Sequence, residues 1–323
     1  MKHIYRGLFI SSVLCICLLT VHAQSLKSIF DFGKEHGWAS PLQEKKLDKF
    51  LAAWTTEDQN KFMRFLAQAK TPSAKYFVLE SWLAGDETKT LQKFITELNQ
   101  YPEDYQQERC VATNNKSIIQ QWQNTCSVTL CQTYLADICP RYAWDVKNIL
   151  NYYMFANDAN HPMAQQQKSL LEHYGGSVSV RGDNSGRTIG INYPLNEWVG
   201  LILGVRFYAQ EIQESLLNIF PKIRKQVNGG LNVPLLIGFE NSTNTHFILI
   251  MNYKLVNTSA QYLIYDPWDG KCNYVSEENL LRGSLSPLND SWKIQIKYFY
   301  PTVELSQAEI DEGYKKKEQE FKN

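Results

Sequence analysis

The sequence has no surplus of either charge: Lys+Arg and Asp+Glu both number 33, so the formal net charge is zero. That balance removes the electrostatic footprint of a broad nucleic-acid-binding face. Metal-binding spacings are missing too. There is no CxxC pair and no HExxH, so no zinc site is expected and nothing calls for a cofactor. Long apolar runs are scarce. The one near the start, from about Leu8 to Val21, falls short of the roughly 20 residues that span a bilayer. No internal repeat is present. What is there is a chain of 323 residues, 44% of them hydrophobic, enough for one large or two modest cored domains.

The apolar start reads as a secretory signal. Lys2, His3 and Arg6 precede it, and Val21-His22-Ala23 supplies the residues a signal peptidase reads, with cleavage before Gln24. A secreted or periplasmic protein is expected, with no stable membrane insertion after residues 1–23 are removed. Five cysteines then remain: Cys110, Cys126, Cys131, Cys139 and Cys272. In an oxidising compartment an odd number leaves at least one thiol unpaired, and catalysis is a reason to keep one.

Residues 24–105 read as an all-helical region, either a domain or a pro-region. Ser40-Pro41-Leu42-Gln43 spells a helix start, with a cap, a proline in the first turn and a capping-box glutamine. Thr55 and Thr71-Pro72 open two more helices, and Leu91, Phe94, Ile95 and Leu98 mark another. The texture changes near Pro102, and residues 106–303 read as a second domain. Helices are expected from Cys126 to Ile138, Trp144 to Phe155, Met163 to Tyr174 and Gln210 to Val227. Strands are expected at Pro234–Phe239, His246–Tyr253, Gln261–Asp266 and Trp292–Tyr300. The segment 175–193 is glycine-rich, a loop with a short strand. Within it Arg181-Gly182-Asp183 reads as a turn. Residues 304–323 form a charged tail whose Lys315-Lys316-Lys317 run is a solvated face.

Three residues stand out chemically. Cys126 follows Asn124-Thr125, a cap, and opens a helix with Val128, Cys131, Leu135 and Ile138 at helical spacing. A helix N-terminus favours an anion, hence a thiolate there. Among the histidines after the signal, His246 opens the most apolar strand, whereas His36, His161 and His173 fall within or beside helices. If the strands flanking the Val256-to-Ala260 turn pair so that opposed residue numbers sum to about 512, His246 faces Asp266. A carboxylate there accepts the Nδ1–H of the imidazole. A register slip would instead bring up Asp269.

The segments QQWQNTCSVTLCQTYLA, VPLLIGFENSTNTHFILIMNY and YLIYDPWDG resemble the papain-like cysteine peptidases of the bacteriocin-processing, double-glycine leader type, over roughly residues 115–270. The resemblance implies an α+β, papain-like fold, with a nucleophile-bearing helix packed on an antiparallel sheet. It implies Cys126 as nucleophile, His246 as base, Asp266 as orienting group and Gln120 as oxyanion-hole donor, with Gln121 and Gln123 nearby. Ser127 stands where the family usually has glycine, and the leader-peptide substrate does not carry over. The expected activity is a secreted thiol peptidase or amidase acting on a peptide or protein. A papain-like acyltransferase of transglutaminase type and a non-catalytic secreted binding protein are the alternatives.

Overall fold

The structure is a computed structural model that describes residues 25–100, 118–150 and 158–320. The signal segment, Cys110 and the stretch around Pro102 lie outside the described residues. The chain divides into two compact units, Met1–Gln106 and Gln107–Asn323.

The first unit is helical throughout its described part: α1 (25–35), α2 (Pro41–Ala53), α3 (Thr56–Leu66), α4 (Pro72–Leu83) and α5 (Thr88–Gln100). The starts are where the sequence writes them. Ser40 Oγ accepts from the Gln43 N–H at 3.3 Å while Gln43 Oε1 accepts from the Ser40 N–H at 2.7 Å, a closed capping box. Thr55 and Thr71 cap α3 and α4 more simply, their hydroxyls accepting the N–H of Asp58 and of Ala74. Tyr76, Phe77 and Leu79 of α4 are fully buried, so α4 is the central helix.

The second unit is α+β, with a mostly antiparallel sheet. Its helices among the described residues are α6 (Cys126–Ile138), α7 (Pro140–Leu150), α8 (Pro162–His173), α9 (Asn192–Pro194 continuing through a π-helical turn to Leu203), α10 (Leu216–Asn228), α11 (Glu277–Leu281) and α12 (Gln307–Glu320). The expected helix from Gln210 therefore starts later, because Gln210–Glu211 is spent as a short strand (β2) and Ser215 caps the helix. The segment 175–191 carries no strand. The charged tail is helical as far as Glu320.

The main sheet is ordered β2 (Gln210–Glu211), β8 (Asn289–Phe299), β3 (Val233–Phe239), β4 (Thr245–Val256), β5 (Ser259–Asp266), β6 (Lys271–Ser276), and β7 (Ser284–Leu285) adds to β8. β1 (Val205–Phe207) and β9 (Thr302–Glu304) form a separate ribbon. β3, β4 and β5 are consecutive antiparallel neighbours. Ile219, Phe220 and Ile223 of α10 pack with Leu235, Ile248, Ile250 and Ile264 in one cluster. Helix α6 packs against β4, beside the buried run His246–Ile250. Apolar burial of this kind, roughly 25 cal/mol per Å², is the main force holding the layers.

Candidate active site

Four elements bring the site together: the segment 118–125, the start of α6, the first residues of β4, and the turn after β5. The β4–β5 hairpin turns at Asn257 and Thr258, both with positive φ (48° and 72°), which gives a two-residue turn with Val256 opposite Ser259. Opposed numbers thus sum to 515 near the turn, not 512. That register alone would set His246 against Asp269. Met251 intervenes: it is an extra residue on β4 between the pairs Ile250–Ile264 and Asn252–Leu263, so the sum becomes 514 beyond it. Extended by two residues, this register opposes Asp266 to Ile248, and Asp266 becomes the diagonal same-face neighbour of His246. Diagonal neighbours lie about 7–8 Å apart at the backbone, within reach of an imidazole and a carboxylate.

The side chains meet. Asp266 Oδ1 lies 2.7 Å from His246 Nε2 and also accepts the Trp268 N–H at 2.8 Å. The expected partner was Nδ1. The diagonal placement instead turns the ring so that Nε2 reaches the carboxylate. The other ring nitrogen, Nδ1, is left unengaged by Asp266, and the Cys126 side chain is near enough to this imidazole to favour its charged form. His246 and Asp266 are buried, at 6% and 2% exposure, while Cys126 is half-buried and carries a free thiol. Burial on its own would lower the His246 pKa. The charge and hydrogen bond of Asp266, joined by those of Cys126, outweigh it and raise the value to about 10. The imidazole is thus an imidazolium at neutral pH. The indole of Trp292 stands edge-on to the ring at 5.6 Å between centroids and is itself braced by Phe239.

The start of α6 differs from the capped helices of the first unit. Thr125 occupies the cap position but makes no capping bond, and its Oγ1 turns to Trp122 O and to Gln167 Oε1 of α8. Asn124, the other expected cap, donates to Ser177 O and Arg187 O and accepts from the Ser179 N–H. These side chains fix the segment before Cys126 to its surroundings. The first N–H groups of α6 are left without a side-chain cap, and they point along the axis that ends at the thiol. Gly186 is required beside this anchor. A Cβ there would stand 2.7 Å from Ser179 Oγ and 2.8 Å from Asn124 Nδ2.

Gln120 corrects the expectation placed on it. It is fully buried, but its Nε2 donates to Trp122 O at 2.7 Å and to Gln123 O at 2.8 Å. Both amide protons are committed, because the turn 120–123 leaves two inward carbonyls that need donors. Its Oε1 is buried with no hydrogen-bond partner. The side chain braces the approach to Cys126 rather than standing ready as an oxyanion donor. The amide nitrogens of Gln121 and Gln123 are likewise engaged, with Ile119 O and Asn184 Oδ1. Asp269, the alternative carboxylate, accepts the Lys271 N–H and pairs with its ammonium at 2.6 Å. His36 belongs to the helical first unit, His161 caps α8 and His173 ends it. Trp268, Trp292 and Arg181 also meet this site or its supporting turns, and their sequence surroundings do not mark them as doing so. Only the aspartate-to-tryptophan spacing in Asp266-Pro267-Trp268 hinted at one of them. Among the described residues, no group of His, Cys, Asp and Glu is arranged to hold a metal ion. No protein-family model, characterised protein or solved structure matches the chain.

Proposed function

We propose that the chain is a secreted, papain-like thiol peptidase or amidase that cleaves peptide or protein amide bonds through Cys126, His246 and Asp266. The observation that carries this reading is the buried imidazole bonded to Asp266, with the Cys126 thiol at the start of α6 near enough to favour its charged form. A thiol and a histidine in this relation form a thiolate–imidazolium pair, the nucleophile–base arrangement of covalent thiol catalysis. Cys126 Sγ attacks the substrate carbonyl carbon, and the carbonyl π pair moves to oxygen. The backbone N–H groups at the head of α6 are the donors that face that oxygen, and Gln120 acts by bracing the turn before the nucleophile. The imidazolium then gives its proton to the leaving nitrogen as the C–N bond breaks. Water, deprotonated by the same ring, displaces the thiol from the acyl-enzyme. Asp266 fixes ring orientation throughout and stabilises its positive form.

The test is acylation by p-nitrophenyl acetate, followed by intact mass and peptide mapping. The reading requires one acetyl group, on Cys126, that forms at neutral pH and is lost again to water. Adding a primary amine then separates hydrolysis from acyl transfer by the product formed. Acetylation spread over several residues, or none on Cys126, would sink the proposal.

A further inference from the structure

Arg181 belongs to the Arg-Gly-Asp triplet, which the chemistry above leaves unused. It begins a turn that Gly182 completes at a φ of 91°, a left-handed conformation that suits glycine. Its side chain does not face solvent fully. The guanidinium lies 4.2 Å over the indole of Trp268, and its Nη2 donates to two backbone carbonyls, those of Gln120 and Trp268. These carbonyls belong to the two segments that deliver the reactive groups. Gln120 opens the turn leading into Cys126. Trp268 follows the aspartate, and its N–H holds the same Asp266 oxygen that holds His246. One further bond joins the segments directly, from the Gln120 N–H to Pro267 O at 2.7 Å. Two converging carbonyls repel each other unless a donor sits between them. A planar cation that also stacks on an indole fits this place, and a lysine ammonium, a point charge, does not reproduce it. Burial of the guanidinium works against its charge, and the carboxylates of Asp269 and Asp266 offset part of that cost.

We propose that Arg181 is a positioning residue for the Cys126–His246 pair: by clamping the carbonyls of Gln120 and Trp268 it locks the nucleophile segment onto the turn that orients Asp266. The inference rests on the thiol-hydrolase reading for its consequence, though the clamp itself is a matter of geometry.

The experiment uses the full chain with Arg181→Ala and Arg181→Lys. Cys126 acetylation by p-nitrophenyl acetate is timed with and without ethylguanidine, and the His246 imidazole is titrated by NMR. Arg181→Ala is expected to slow acetylation by roughly ten- to a hundredfold, the scale of a small misplacement of reacting groups. The His246 titration is expected to move to lower pH as Asp266 loses its orientation. Arg181→Lys should stay closer to the alanine variant than to wild type, and ethylguanidine should restore much of the alanine variant's rate. Wild-type acetylation in either variant, an unchanged His246 titration, or a loss that ethylguanidine leaves untouched would each overturn the proposal. If Arg181→Ala does not fold, the lysine variant carries the same comparison. If wild-type Cys126 itself does not acetylate, the thiol-hydrolase reading fails, and the His246 titration still decides whether Arg181 positions Asp266.

Discussion

A single carboxylate oxygen, Asp266 Oδ1, receives both the His246 ring and the Trp268 backbone. That sharing makes the residue scale sharply testable. With the folded His246 value raised from 6.5 to about 10, the stability this proton brings is complete below pH 6.5 and fades as pH climbs through about 10. Asp266→Asn removes the charge responsible. The stability gap between wild type and this variant, measured by denaturant titration, is therefore expected to be widest below pH 6.5 and to narrow toward pH 10. Turnover is expected to fall on the order of 10²–10⁴-fold, since the ring loses both its orientation and its counter-charge. Asp269→Asn, whose carboxylate serves Lys271, is expected to leave turnover close to wild type. Gln120 gives a second contrast. An oxyanion donor would affect acylation alone, whereas a brace for the turn affects every reaction of the thiol. Gln120→Ala is thus expected to slow both iodoacetamide alkylation and acetylation of Cys126, to a similar degree. The positions of Cys126 and His246 were legible because each opens an element, and element starts leave marks in sequence. The choice of Nε2 over Nδ1 and the committed amide of Gln120 were not. They depend on ring rotation and on which carbonyls a turn buries.

At the scale of elements, one unpaired residue decides which aspartate meets the histidine. The hairpin turn at Asn257-Thr258 fixes a register that opposes His246 to Asp269, and the bulge at Met251 shifts it by one. Because strand faces alternate with a period of two, that shift moves Asp266 onto the face of His246. Deleting Met251 is expected to break the His246–Asp266 bond while keeping the hairpin. The check is the His246 titration by NMR, which should fall from about 10 toward or below 6.5 as burial acts without the carboxylate. The strands themselves were readable from their apolar runs, and the helices of the first unit from Ser40, Thr55 and Thr71, because caps and periodicity are local signals. A bulge carries no such signal. It is set by how β4 packs with β3 and β5 together, so an estimate of register from the turn alone reaches the right residue by a wrong count.

At the scale of the whole molecule, the compact unit Gln107–Asn323 contains every reactive group discussed, and its sheet is built so that β4 presents His246 at its first buried position. The helical character of the first unit and the α+β character of the second were both evident from the change of texture near Pro102. The packing of α6 on the sheet was expected only through the family resemblance, because it comes from contacts between segments more than 100 residues apart. The proposed chemistry sets Cys126 apart from the other described thiols. Cys131, in the same helix, is buried with its pKa raised by desolvation, and Cys139 and Cys272 are buried as well. The most direct measurement is the rate at which iodoacetamide labels each cysteine of the native protein at neutral pH, followed by mass spectrometry, in wild type and in His246→Ala. Cys126 is expected to be labelled first and fastest, and His246→Ala to slow its labelling by about tenfold or more while the other cysteines keep their rates. Labelling of Cys126 no faster than Cys272, or a Cys126 rate indifferent to His246, would contradict the proposed chemistry.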